Sequence, residues 1–185
     1  MTNTTSHDFV VSERNGIAEN RHEIHAAVVD STGRLLLSLG NPSRLTLIRS
    51  AAKPLQALAV AESGALERYG FDEADLALVC ASHSSEDRHV ARARAMLGKA
   101  RNAEESLRCG GHPSIMPGIH RDWIRRDVVP TAVWSNCSGK HAGVLAAAKA
   151  IGADVADYHL LGHPVQARIA DVVGDLSGLQ SQEIQ

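Results

Sequence analysis

The sequence predicts an α/β fold, and three observations predict it. Strand-length apolar segments fill the first forty residues, the apolar period becomes helical from Pro54, and an apolar run over 76–81 breaks off in a polar cluster. Residues 9–14, 23–30 and 34–39 read as strands, and Asp30-Ser31-Thr32-Gly33 between the last two is hairpin turn chemistry. Over 54–67 Leu55, Leu58, Ala59 and Leu66 suit one helix face. The run LALVCA at 76–81 has strand length. A helix through Val90, Ala93, Met96 and Leu97 follows, with Ser84 or Ser85 as its cap. Residues 101–130 read as loop, 131–135 as a strand, 142–151 as a small-residue helix, and 164–176 as a last helix with Pro164 in its first turn.

Composition narrows the function classes. The chain has 185 residues, 44% hydrophobic and 22% charged, with a formal net charge of -2. No basic excess points to nucleic acid and no basic stripe to a membrane surface. The longest apolar stretches, such as 57–61, 76–81 and 144–148, are far too short to span a bilayer. The opening MTNTTSHDFV has no charged start followed by an apolar run, so no signal peptide is read there. Cys80, Cys109 and Cys137 form no C-x-x-C pair, which suits a reduced, cytoplasmic protein. Only four of the 19 basic residues are lysines: Lys53, Lys99, Lys140 and Lys149.

Three segments could carry chemistry. Ser50 and Lys53 form an S-x-x-K, one helical turn apart. A serine hydroxyl needs a base, and a desolvated lysine can be one where arginine cannot. Composition alone yields roughly 0.35 such pairs by chance. Pro54 biases Lys53 away from α conformation, so the segment reads as a turn into a helix. The second segment is Ser82-His83-Ser84-Ser85-Glu86; capping accounts for Ser84, Ser85 and Glu86 but less readily for Ser82 and His83. The third, Asn136-Cys137-Ser138-Gly139-Lys140-His141, reads as a Cys–His nucleophile, a metal ligand set or a glycine turn into a helix, and a lone Cys beside an apolar helix is more often a small buried hydrophobe. Cys109-Gly110-Gly111-His112 reads as turn or packing.

Taken together, these blocks resemble the asparaginase II family, the serine–lysine asparaginases with a serine β-lactamase-like fold. The carriers are the segments 49–56 (RSAAKPLQ), 80–86 (CASHSSE), 107–113 (LRCGGHP) and 136–143 (NCSGKHAG). Glu19, His22 and 158–166 (YHLLGHPVQ) also fit. The resemblance implies an antiparallel sheet flanked by helices and hydrolysis of L-asparagine to L-aspartate and ammonia. It implies Ser50 as nucleophile, Lys53 as its base and Ser82 as the second serine of two Ser–Lys tandems. Cys137 and Lys140 are implied ligands of a zinc ion, with Arg49 and His141 lining the substrate pocket.

The family's chains continue well past this length. The expectation is therefore a disordered tail over 1–8, and over 9–185 the N-terminal part of a catalytic domain incomplete at its C-terminus. The partner of Ser82 and a second zinc-binding cysteine are expected beyond Gln185. Weak zinc binding, an exposed apolar surface and marginal stability follow from that. The small-molecule substrate is L-asparagine, and the full-length protein is expected to be a homodimer. Two alternatives stand beside this reading: another S-x-x-K serine hydrolase acting on β-lactams or esters, and a non-catalytic truncated fragment. Ser50 and Lys53 are expected in contact, bordering a concave pocket with Ser82.

Overall fold

A computed structural model describes residues 9–179 and Ile184; the expected tail over 1–8 lies outside them. The chain divides into two compact units, Met1–Leu47 and Ile48–Gln185. Among the described residues it is mixed α/β, with small antiparallel sheets and seven α-helices. No helix among them is long and apolar enough to cross a membrane.

The first unit is two hairpins. Strand β1 (Phe9–Arg14) pairs antiparallel with β2 (Ile17–Glu23), and β3 (Ala26–Val29) with β4 (Leu35–Leu39). They form two separate two-stranded sheets, not the single sheet expected. Asn15 and Gly16 both hold positive φ, 52° and 77°, which is the geometry of a two-residue hairpin turn. That dipeptide is the signal for β2, which the sequence reading passed over. In the second turn one Asp30 carboxylate oxygen accepts the backbone N–H groups of Thr32 and Arg34 at 2.9 and 3.0 Å.

The second unit is helical and holds the core. Helix α1 (Lys53–Glu62) is followed by α2 (Ala65–Tyr69), because Gly64 at φ 75° ends the helix expected to run on to residue 67. The 76–81 run is not a strand. It lies in helix α3 (Glu73–Cys80), nucleated by a capping box in which Asp72 and Asp75 each accept the other's backbone N–H. Helix α4 (Asp87–Lys99) has Glu86 at its N-cap, while Ser85 takes a left-handed φ of 62°. Within the stretch expected as loop, α5 (Pro117–Arg125) forms behind a first-turn proline and buries Trp123 edge-on to Trp134. The strand expected over 131–135 is a 3-10 turn, Ala132–Trp134.

Helix α6 (Ser138–Ala150) is the centre, buried from Ser138 to Ala148 except Lys140, and α7 (Pro164–Ser177) packs on α1 and α6. Close approach of α3 to α6 depends on two glycines. A Cβ on Gly139 would sit 2.7 Å from the Leu78 carbonyl oxygen, and one on Gly143 would sit 2.7 Å from a Val79 methyl. The α3–α6 seam therefore fixes where residues 81–83, after α3, stand against residues 136–141, around the start of α6.

Candidate active site

Ser50 is exposed in a 3-10 turn, Arg49–Ala52, that runs straight into α1. Lys53 is the first residue of α1 and takes ordinary right-handed helical angles, so the bias imposed by Pro54 is overridden. Its backbone N–H donates to the Ser50 carbonyl. Arg49 holds φ at 51°, a sparsely populated region for a non-glycine residue. Lys53 is buried, and its ammonium donates to Ser82 Oγ at 2.6 Å, across 29 residues of sequence. Burial pushes the lysine below its ordinary pKa, while the charge of Cys137 and Cys109 opposes that shift.

Ser82 follows α3 in extended backbone and is itself exposed. It lines a cleft of about 700 Å³ with the outer face of α3, His89 and Arg92 of α4, and Met116. Ser50 and Lys53 are not among the residues lining that cleft. His83 turns inward, where Nδ1 accepts the Ser85 N–H at 3.1 Å and Nε2 lies 2.9 Å from Ser138 Oγ.

A second group of side chains gathers at the start of α6. Donor atoms of Cys109, Cys137 and His141 all lie within 4.8 Å of one another. Ser135 Oγ is 3.1 Å from Cys137 Sγ, and Tyr158 Oη is 2.6 Å from His141 Nδ1 while accepting the Arg108 N–H at 3.0 Å. Hydrogen bonding from the Cys109 thiol, together with His141 and Ser135, outweighs burial and holds Cys137 far below the usual thiol range. Cys109 is pushed up by the same bond and by burial, so of the two thiols Cys137 ionises the more readily. Lys140 is pushed down by burial, opposed by the Cys137 charge and assisted by Lys53.

The sequence-predicted residues thus fall into two groups. Lys53 and Ser82 are joined through their side chains, and Ser50 stands one turn before Lys53, linked to it through its backbone carbonyl. Cys137, Lys140 and His141 occur together at the start of α6. His141 is buried with the thiols and bonded to Tyr158, not free on an open wall. Sequence reasoning missed Cys109 as a partner of Cys137, since a separation of 28 positions gives no ligand spacing. A second thiol, that of Cys109, does stand beside Cys137 within the described residues. A tetrahedral zinc ion with bonds of about 2.0–2.3 Å spans donor separations of this order, so the two sulfurs and the imidazole fit such an ion. The neutral His141 would then bind through Nε2, with Nδ1–H donated to Tyr158.

Comparison with known proteins bears on what this arrangement is for. No curated protein matches the sequence. The L-asparaginase II family profile matches residues 10–185. With nearly every residue matched, from β1 through the S-x-x-K turn and the start of α6, the chain belongs to the L-asparaginase II family.

Proposed function

We propose that the chain is an amidohydrolase that converts L-asparagine to L-aspartate and ammonia. Ser50 is the nucleophile, Lys53 its base, and Ser82 the hydroxyl that holds the lysine and relays its proton, in an architecture like that of serine β-lactamases. Family membership supports an asparaginase-type amidohydrolase. One observation carries the residue roles. Lys53 is 4% exposed, has no carboxylate partner among the described residues, and spends its hydrogen bond on a serine hydroxyl at 2.6 Å.

Neutral Lys53 takes the Ser50 proton, directly or through Ser82. Ser50 Oγ bonds to the side-chain amide carbon and the carbonyl oxygen becomes an oxyanion. Collapse breaks the C–N bond, and Lys53 returns the proton so that ammonia leaves. Water, deprotonated by the same lysine, then cleaves the Ser50 ester and releases aspartate. Arg49, exposed beside Ser50, offers positive charge to the substrate α-carboxylate. His141, buried with the thiols, supports the site from below. A zinc ion held by Cys109, Cys137 and His141, with Lys140 as the further donor, would supply fixed positive charge beside the site. Three free thiols suit a reducing compartment, and the cytoplasm is the proposed location.

The test is ammonia release from L-asparagine beside L-glutamine and a chromogenic β-lactam, using Ser50→Ala and Ser82→Ala. An asparagine analogue with an electrophilic side chain then labels the nucleophile, and peptide mass mapping finds it. Label on Ser50 supports the reading. Label on Ser82 supports a second one, in which Ser82 itself attacks; its direct contact with Lys53 and its place on the cleft favour that role. β-Lactam turnover without asparagine turnover overturns the substrate.

A further inference from the structure

Next to Ser82, His83 has its backbone N–H and both ring nitrogens engaged. Its backbone N–H donates to the Asn136 carbonyl at 3.0 Å, Nδ1 accepts the Ser85 N–H, and Nε2 reaches Ser138 Oγ at 2.9 Å. Because Nδ1 accepts, the neutral ring carries its proton on Nε2 and donates it to Ser138. Burial first, then the charges of His89 and Lys53, keep the ring neutral by lowering its pKa to about 4. Two further bonds brace the same segment. Ser85 Oγ donates to the Trp134 carbonyl and Ser114 Oγ to the Ser84 carbonyl, both at 2.6 Å. Ser85 itself takes a left-handed φ of 62°.

Ser82 itself is exposed, and its side-chain hydrogen bond among the described residues is the one from Lys53. Something else must hold its backbone in place. We infer that His83 is the positioning residue for Ser82: it clamps residues 82–85 to the first turn of α6, so that the Ser82 hydroxyl stands where Lys53 can use it. This rests on the serine–lysine reading and adds a residue to it. His83 touches neither substrate nor the reacting atoms. Any buried imidazole needs partners at its nitrogens; what marks His83 is that its bonds tie the Ser82 segment to the residues flanking Cys137.

The experiment compares His83→Phe, which keeps the ring volume, with His83→Gln, which keeps a donor able to reach Ser138, and with Ser138→Ala, each in the full chain. A displacement of about 1 Å in a catalytic group costs about 100-fold in rate. His83→Phe should therefore lose about 100-fold in kcat with KM little changed, His83→Gln should recover about tenfold of that, and Ser138→Ala should fall between. Each is assayed well below its own Tm. Imidazole ¹⁵N NMR of the wild-type chain should show the Nε2–H tautomer with no titration between pH 5.5 and 8. Wild-type kcat in folded His83→Phe or Ser138→Ala overturns the inference, as does an Nδ1–H tautomer. A fully active Ser82→Ala sinks the serine–lysine reading instead, and the NMR signature still reports the clamp separately.

Discussion

Helix α3 has a lysine at each end, and the two are held in opposite ways. At its N-terminal end Lys99 donates to Asp75 Oδ2 at 2.5 Å and to the Gly70 carbonyl at 2.9 Å. Asp75 is fully buried, and Arg92 reaches its other oxygen at 2.6 Å. Burial works against that carboxylate, but hydrogen bonds from Lys99, the Asp72 backbone and Arg92 outweigh it and hold the pKa below the ordinary value. Just past the C-terminal end Lys53 meets a hydroxyl in place of a carboxylate. A lysine facing a buried acid is spent on an ion pair and is structural. One facing a hydroxyl in a dry site is pushed toward the neutral form that can act as a base. Attraction to Cys137 and then Cys109 works against that push without overcoming it.

The sharpest way to break this contrast is to exchange the lysines' roles. Lys53→Arg and Lys53→Met should each lose about 1,000-fold in kcat, about 4 kcal/mol of barrier, read as ammonia release. Lys53→Met should stay folded, since it removes a charge that burial already disfavours. Lys99→Met should keep wild-type kcat. A dead Lys99→Met beside an active Lys53→Met would reverse the assignment.

The ionic end should answer in stability. Asp75→Ala leaves Lys99 and Arg92 facing each other without their shared acid and dismantles the α3 capping box. Removing one partner of a buried pair costs about 3–5 kcal/mol, and the partly exposed cations place this case near about 3. Urea unfolding measures the loss, and kcat in the folded state should not change. If Asp75→Ala cuts kcat without shifting the urea midpoint, the two ends are not separate.

Titration separates them again. The folded-state pKa of His83 is about 4 against an ordinary 6.5, so between those values the unfolded chain binds the extra proton. Stability then falls as pH drops from 6.5 to 4, by at most about 3 kcal/mol, and this group adds no further loss below that. Asp75, also depressed, contributes stability that is present above 3.8 and lost as pH falls through its lower folded value. His83→Gln should flatten the first limb and spare the second. Equilibrium unfolding from pH 8 to pH 3 reads both, and an unchanged upper limb in His83→Gln would remove His83 as its source.

Much of this layout was legible in the sequence, and the failures are physical. The hairpin at Asp30–Gly33, the helix of small residues after Gly139 and the Pro164 start of α7 each rest on local signals, and each is present. The 76–81 run misled because α3 packs on α1, α4 and α6 and its exposed position within the run, Ala77, is small and apolar, so the run matches a buried strand. The overlooked signal was Asp72-x-x-Asp75, a capping box spelt with acids. In the site, Ser50 and Lys53 were visible because they are one turn apart. Ser82 depended on the resemblance. Cys109 against Cys137, and His83 against Ser138, are contacts across 28 and 55 residues that only the helix packing creates.

That packing gives the smallest expected effect and a test of how tightly the C-terminal end of α3 is set. Gly143→Ala gains about 1 kcal/mol of helix propensity in α6. The new methyl would meet Val79 carbons at 2.7 and 3.1 Å and a Val60 carbon at 3.6 Å. Valine methyls have no long flexible arm to withdraw, so α6 must move off α3 or Val79 must leave its rotamer, at about 1–3 kcal/mol. The net should be a loss of about 1 kcal/mol, or about 2–4 °C in Tm. The same motion shifts Ser138 against His83, so kcat should fall severalfold while the Asp75 cluster keeps its share of stability. The check is a thermal melt with kinetics at 25 °C. A stabilised Gly143→Ala at full kcat would mean that the seam has slack, and that Ser82 is held by its own loop and not by the α3–α6 contact.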